Sequence, residues 1–287
     1  MAHAVKLVVE GATLEYSSTR TARSTLALEN INLEVRGGEF VCIVGPSGCG
    51  KTSFLAALDG LVPLSRGRFL IDGKPLQGPR RDVAMVFQNP SLLPWRTVVG
   101  NVIYGLELQG RNQKESQERV AQLLETVGLS GWEHSYPHEL SGGMQQRVNI
   151  ARAMAVDPEI LLLDEPFANL DAQTREFMQE ELLRLWDRTQ MTALLVTHQI
   201  SEAVYLGDRV VVLTRRPGRV KDVLEIELPR PRGLSIKKDP RFLEYEEHIW
   251  NHIVEEVAKD RLKQTDRPEE TTAVKPEARP ARRAREE

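Results

Sequence analysis

The segment Gly45-Pro46-Ser47-Gly48-Cys49-Gly50-Lys51-Thr52 follows the spacing G-x-x-x-x-G-K-S/T, with Ser53 directly after it. Glycines at such positions let backbone N–H groups curl around phosphate oxygens with no Cβ in the way. Lys51 is then placed to reach β- and γ-phosphates, and the Thr52 hydroxyl to sit on Mg²⁺. The alternative is a Gly-rich turn with an accidental Lys-Thr. Leu140-Ser141-Gly142-Gly143-Met144 offers related chemistry. A Ser and a pair of Gly opening a long helical pattern expose backbone N–H groups to an anion, with the helix dipole behind them. One chain thus carries two candidate phosphate-binding helix ends.

Ile160-Leu161-Leu162-Leu163 ends in Asp164-Glu165. Asp164, at the C-terminal end of a buried strand, is placed to hold a Mg²⁺ shell, since ligands in open α/β sheets sit there. Glu165 should point the opposite way, where it could orient and polarise an attacking water. Three further positions gain meaning as a set. Gln88 could reach metal and water, His198 could contact the γ-phosphate, and Asp171 lies in the turn opening the next helix. Taken singly, Gln88 is a loop residue, His198 a strand-end histidine and Asp171 a helix N-cap. Tyr16 ends the first strand region before a Ser, Thr and Arg loop and could stack on adenine, or be a core or edge tyrosine. Cys49, near a helix N-terminus, is expected to have a lowered pKa, so alkylation should block activity and bound nucleotide should protect.

These residues need elements to hold them. Residues 5–10 and 28–35 alternate apolar and polar, as half-buried strands do. Phe40-Val41-Cys42-Ile43-Val44 is a continuous apolar run ended by glycine, which predicts a central strand of a parallel sheet. Helix 51–61 and strands 68–71 and 83–87 follow. Residues 97–156 change character, with helical spacing over 98–108, 113–127 and 141–156; the third has Met144, Val148, Ala151 and Ala155 on one face. Strands return at 160–163, 193–197 and 209–214, with an amphipathic helix through Met178, Leu182, Leu185 and Trp186 between the first pair. The pattern is a βα alternation interrupted by a helical insertion. Residues 221–228 are expected to add an edge strand, Pro229-Arg230-Pro231-Arg232-Gly233 reads as a break, and 242–262 as an amphipathic helix striped by Ile249, Ile253 and Val257. Residues 265–287 are rich in Pro, Arg and Glu, which predicts a disordered charged tail. Arg279, Arg282, Arg283 and Arg285 could touch acidic lipid or RNA there, but interspersed acids favour a solvated tail.

The 287 residues, 41% hydrophobic and 28% charged, suit a globular chain with a substantial core. A net charge of −3 gives no electrostatic footprint for nucleic acid. Cys42 and Cys49 are not expected to pair, which fits a reducing compartment. Residues 1–6 lack the apolar stretch of a leader peptide. No apolar run approaches the ~20 residues needed to cross a bilayer, so a membrane role would come through a partner.

With these residues in hand, the chain resembles the ATP-binding subunit of an ABC transporter over about residues 5–230. The resemblance rests on a Walker A (45–52), a Q-loop glutamine (Gln88), a signature (140–144) and a Walker B with its glutamate (Asp164, Glu165). A D-loop (Ala168-Asn169-Leu170-Asp171) and an H-loop (His198) complete it. It implies an α/β fold of the P-loop NTPase class. An ABC-type ATPase domain would span 1–230, with an antiparallel β-subdomain and a helical subdomain at about 97–156. A C-terminal helical extension (231–264) and the charged tail (265–287) would follow. In that family the signature of one subunit closes over ATP held by the Walker A of another. A nucleotide-sandwich dimer, of identical or closely related chains, is thereby implied, with Ser141, Gly142 and Gly143 acting in trans. Also implied are ATP and Mg²⁺, transmembrane permease subunits, a periplasmic or surface solute-binding protein, and a peripheral place on the cytoplasmic face of the plasma membrane.

A finer resemblance is to importer subunits for nitrate, taurine, aliphatic sulfonates and related small anions. Phe87-Gln88-Asn89-Pro90-Ser91-Leu92-Leu93-Pro94-Trp95, Met144-Gln145-Gln146 and Leu228-Pro229-Arg230-Pro231-Arg232 carry it. Met144 stands where the commoner signature has Gln, and Ala168 where the D-loop usually has a small polar residue. The segment after Gln88 is implied to receive a short helix of the permease. Leu92, Leu93, Pro94 and Trp95 form an apolar cluster suited to that docking, with core packing of Trp95 as the alternative. Other readings are an importer for another solute and a soluble ABC-type ATPase without a permease. A single ATPase unit and no long heptad region favour transport.

Overall fold

The computed structural model describes residues 4–17 and 24–265. Strands β1 (Val5–Ser17) and β2 (Ser24–Arg36) form an antiparallel hairpin longer than the alternation predicts. Irregularities between Val9 and Leu14 absorb Gly11, whose φ is 57°, and pairing resumes beyond it. The chain continues through β3 (Phe40–Val44), α1 (Lys51–Leu58), β4 (Arg66–Ile71), β5 (Lys74–Pro75) and β6 (Val83–Val86). Helix α1 stops short of the predicted residue 61, because Gly60 at φ 79° turns the chain and donates its N–H to Ala57 O. Helices α2 (Val98–Leu108), α3 (Gln113–Thr126) and α4 (Gly142–Ala155) follow, at the places their spacing predicts. Then come β7 (Ile160–Asp164), α5 (Ala172–Thr189), β8 (Thr192–Thr197), α6 (Ile200–Leu206), β9 (Arg209–Leu213), β10 (Val220–Glu225) and α7 (Pro240–Thr265).

One sheet has the order β2-β1-β4-β5 and is antiparallel; the other has the order β10-β9-β3-β8-β7-β6. In the second sheet β3, β6, β7, β8 and β9 run parallel, and β10 is the antiparallel edge predicted after residue 220. The continuous apolar runs are explained by burial on both faces. Phe40, Cys42, Val44, Leu161, Leu163, Ala193 and Leu195 face a core built with the helices. Val41, Ile43, Ile160, Leu162, Leu194 and Val196 face a second core shared with α1 and the antiparallel sheet. The period-2 alternation thus divides each strand between two cores. On α4, Val148, Ala151 and Ala155 are buried and Met144 packs partly against the helical core.

The segment 229–233 is the break its composition predicts, without helix or strand, and it is also an anchor. Arg232 is only 4% exposed. Its Nη1 donates to the carbonyls of Val204 (3.2 Å), Tyr205 (3.1 Å) and Gly207 (2.7 Å), the last turn and end of α6. Its Nη2 donates to Ile226 O (3.2 Å) and Leu228 O (3.4 Å). Burial pulls the guanidinium down to about 10, so it remains charged against those carbonyls near neutrality. Arg230 lies over the Trp186 ring at 4.2 Å and pairs with Asp208. Beyond this anchor α7 returns to the sheet edge, burying Phe242 and Ile249; each such side chain contributes roughly 1.5–3 kcal/mol. Ile253 packs partly, and Val257 is near the exposed end of the stripe. The charged tail expected over 265–287, with Arg279, Arg282, Arg283 and Arg285, lies outside the described residues save for Thr265. No described helix is long and apolar enough to cross a membrane.

Candidate functional site

The loop 45–52 joins β3 to α1 at the C-terminal edge of the parallel strands, where α/β sheets place ligands. It borders a cleft of ≈480 Å³ whose walls bring together residues far apart in sequence. Ser47, Gly48, Gly50, Lys51, Thr52 and Ser53 line its floor. Gly50 has φ 107°, and a Cβ there would meet Leu28 Cδ2 at 2.7 Å and Ala27 O at 2.9 Å. Its glycine is therefore required by packing on β2 as well as by the loop's own conformation. Lys51, buried, donates from Nζ to Gly45 O (2.8 Å) and Pro46 O (3.2 Å), which holds its ammonium within the loop.

Thr52 Oγ1 donates to Asp164 Oδ1 at 3.0 Å, so the loop and the end of β7 meet. Burial raises the Asp164 pKa, Thr52 opposes the rise and nearby Glu165 adds to it. Gln88, Glu165 and His198 converge. Gln88 Nε2 donates to Glu165 Oε2 at 3.2 Å, and His198 Nδ1 lies 3.1 Å from the same oxygen. All three line the cleft. Glu165 adopts φ 45°, a left-handed backbone uncommon for a residue with a side chain, and its carboxylate meets Gln88 and His198. A carboxylate held by an amide and an imidazole, beside a hydroxyl–carboxylate pair, can hold a water and take its proton.

Tyr16 lines the far wall, half-exposed, and its hydroxyl donates to Ser53 Oγ at 3.1 Å. Of the remaining predicted residues, Cys49 departs from its reading and Asp171 takes the N-cap role that is one of its readings. Cys49 is fully buried against the second core, and burial raises its thiol pKa, with Lys51 only partly opposing. The expected lowering by the helix N-terminus loses to desolvation. A thiol both protonated and inaccessible should resist alkylation. Asp171 acts in this chain as the N-cap of α5, with Oδ1 accepting from Thr174 N at 3.0 Å, and this holds its pKa down.

Sequence reasoning missed Thr25, Ala27 and Arg216, which also line the cleft. Arg216 Nε donates to Gly48 O at 3.1 Å, and Gly218 packs so tightly on the loop that a Cβ would fall 2.3 Å from Cys49 O. The run Arg215-Arg216-Pro217-Gly218 after a predicted strand was the available signal.

The signature stands apart. Ser141 is the N-cap of α4, its Oγ accepting from Met144 N at 3.3 Å. Ser141 and Gly142 are exposed, Gly143 is half-buried, and none of them lines the cleft. Helix α4 is tied instead to the segment after Gln88. Gln146 Nε2 and Asn149 Nδ2 donate to Phe87 O at 3.3 and 2.9 Å, and Arg152 donates to Pro90 O and Ser91 O at 2.8 and 3.1 Å. Buried Asn101 fixes the next turn by accepting from Leu93 N (2.7 Å) and donating to the carbonyls of Leu93, Arg96 and Thr97. The expected apolar surface cluster is divided: Leu92 packs partly on the core and Leu93 is half-buried, while Pro94 is exposed and Trp95 is 72% exposed. Core packing of Trp95 is excluded.

Residues 28–168 match the ABC transporter family model. The chain is 51% identical over 257 residues to an uncharacterised ABC transporter ATP-binding protein of Methanocaldococcus jannaschii, covering 89% of this chain and 94% of that one. The chain belongs to the ABC transporter ATP-binding family. As an ABC ATPase it binds and hydrolyses ATP. It is also 47% identical over 232 residues to the nitrate import ATP-binding protein of Synechocystis, covering 79% of this chain and 87% of the relative. Identity to the taurine import ATP-binding protein of Escherichia coli K12 is 45% over 235 residues, covering 80% and 92%. Among solved structures, the dimeric form of a bacterial ABC transporter cassette is similar with a TM-score of 0.70 and 32% identity, over 79% of this chain and 99% of that one. A post-hydrolysis dimer of that cassette, bound to ADP and Pi, is similar with a TM-score of 0.70 and 31% identity.

Proposed function

We propose that this ABC ATPase energises import of a small anion of the nitrate, taurine or alkanesulfonate class through a partner permease. The observation that carries the cargo class is its similarity to nitrate and taurine import ATPases over about four-fifths of the chain (79% and 80%). Two chains would face each other, the Ser141 end of α4 in one meeting the 45–52 loop of the other across ATP. The exposed, cleft-free position of Ser141 and Gly142 supports this, as does the dimeric form of the similar cassette.

Within each site, Tyr16 would stack on the base, and the loop N–H groups with Lys51 would hold the phosphates. Thr52 Oγ1 and Asp164 Oδ1, 3.0 Å apart, are hard oxygen donors that fit Mg²⁺, and Gln88 could add its amide oxygen. Mg²⁺ would neutralise charge on the phosphate oxygens. Glu165 would orient water and accept its proton as oxygen bonds to the γ-phosphorus and the bond to the β-phosphate oxygen breaks. Gln88 and His198 keep that carboxylate aimed. The hydrogen bonds from Gln146, Asn149 and Arg152 to the 87–91 backbone offer a route by which a shift of α4 reaches Trp95. A place on the cytoplasmic face, held by the permease, and a solute-binding protein outside belong to this reading.

Uptake of labelled nitrate, taurine and an alkanesulfonate by cells with and without the chain tests the cargo. Loss of uptake of one of them is expected. Unchanged uptake of all, with loss of amino-acid uptake, would move the cargo elsewhere. Purification from membranes without any permease would overturn the transport reading itself.

A further inference from the structure

Far from the phosphate loop, α7 and the edge strand β10 bring three potential ligands to one point. His248 and His252 stand one helical turn apart on α7 and face Asp222 on β10. His248 Nε2 lies 2.9 Å and His252 Nε2 3.1 Å from Asp222 Oδ2, and the two ring nitrogens are 3.1 Å from each other. Each corner of this triangle therefore has two neighbours. An imidazole nitrogen has a single in-plane position, filled by one proton or one lone pair, so hydrogen bonds cannot satisfy every side of the triangle. A cation bound by all three removes the conflict by taking one lone pair from each.

The dimensions agree. Neighbouring ligands of an octahedral ion held at about 2.1 Å lie ~3.0 Å apart, and those of a tetrahedral one ~3.4 Å. Paired imidazoles with a carboxylate suit first-row transition ions rather than Mg²⁺ or Ca²⁺. Asp222 and His248 also line a cleft of ≈540 Å³ with Tyr245 and Glu244, which leaves room for water to complete the coordination. The ammonium beside the site is already compensated: Lys221 Nζ is 2.9 Å from Glu255, 3.1 Å from Glu256 and 2.8 Å from the His252 carbonyl.

We propose that Asp222, His248 and His252 form a site for a divalent transition-metal ion that clamps the C-terminal helix to the edge of the ATPase sheet. The site is independent of the nucleotide chemistry, since none of its residues lines the nucleotide cleft. Its occupancy fixes α7 against β10, and β10 follows the 214–218 turn that carries Arg216 to Gly48.

Zn²⁺ titration calorimetry on the full, tag-free chain without nucleotide tests this, with Co²⁺ absorption in the visible as a second readout. One ion per chain is expected, with a dissociation constant at or below ~10 μM and a melting temperature that rises on saturation. The double variant His248→Ala/His252→Ala should lose that binding and the Co²⁺ band. The near-isosteric Asp222→Asn, which keeps the packing, should weaken binding at least ~10-fold. His198→Ala should bind Zn²⁺ as the parent does. Absence of binding by the parent, or equal binding by folded His248→Ala/His252→Ala as judged by circular dichroism, would overturn the proposal.

Discussion

Helices α1 and α4 both carry glycine at their starts, Gly50 just before the first and Gly142-Gly143 opening the second, yet their N-termini live in different surroundings. The first has no side-chain cap and opens on a cleft ringed by Tyr16, Gln88, Glu165, His198 and Arg216. The second is capped by its own Ser141, and its start is exposed. Both ends have the same dipole and similar free N–H groups. A helix end becomes a site only where other elements bring charge, hydroxyls and a wall to it. On α1 the strand ends of one chain do this; on α4 the described residues of the chain supply no such wall, and in the proposed dimer a second copy would.

The comparison can be tested by breaking each end. The largest effect is expected at the α1 cleft. Glu165→Gln should lower ATP hydrolysis by roughly 10²–10³-fold while ATP affinity holds, measured by steady-state turnover and fluorescent-nucleotide binding. Next, Ser141→Arg should reduce hydrolysis by about 10²-fold and leave nucleotide binding to the isolated subunit intact. Lost binding in the isolated subunit would mean that α4 serves its own chain's site, and the contrast would collapse.

A third helix end sharpens the point. The C-terminus of α6 is completed within the chain by Arg232, so Arg232→Met should cost about 2–4 kcal/mol in denaturant unfolding. Hydrolysis per folded molecule should stay unchanged. The smallest effect on chemistry belongs to Leu93→Ala/Trp95→Ala. Its ATPase rate should remain within about 2-fold, because neither residue lines the nucleotide cleft, while solute uptake falls. Equal loss of both would argue against separate docking and hydrolysis surfaces.

What the sequence disclosed, and what it hid, follows the range of the interactions. Strand β3 and helix α2 appear at the residues their spacing predicts, because apolar period and flanking glycine are local signals. Helix α6 was missed: its Ile200–Leu206 run is short and follows His198 with no turn residue to separate it from β8. The Gln88, Glu165 and His198 group could be guessed as a set at strand ends, but their meeting on one carboxylate oxygen depends on sheet order. Cys49 shows the limit most plainly. A helix N-terminus is visible in sequence, whereas the direction of a side chain in a loop is not, and here burial outweighs the dipole. Arg232 failed in the same way, since Pro-Arg-Pro-Arg-Gly has the composition of a turn and its buried carbonyl partners come from α6 and the 226–228 strand exit. Arg152, Asn149 and Gln146 lie three apart along α4, a polar row whose backbone partners only the fold supplies.

The left-handed backbone of Glu165 has an evolutionary consequence. A non-glycine residue held there gives up roughly 1 kcal/mol that glycine would not. Glu165→Gly should therefore tolerate slightly more heat while losing turnover. Selection for durability and selection for work pull this one codon in opposite directions, and a screen for heat resistance alone would favour an idle machine.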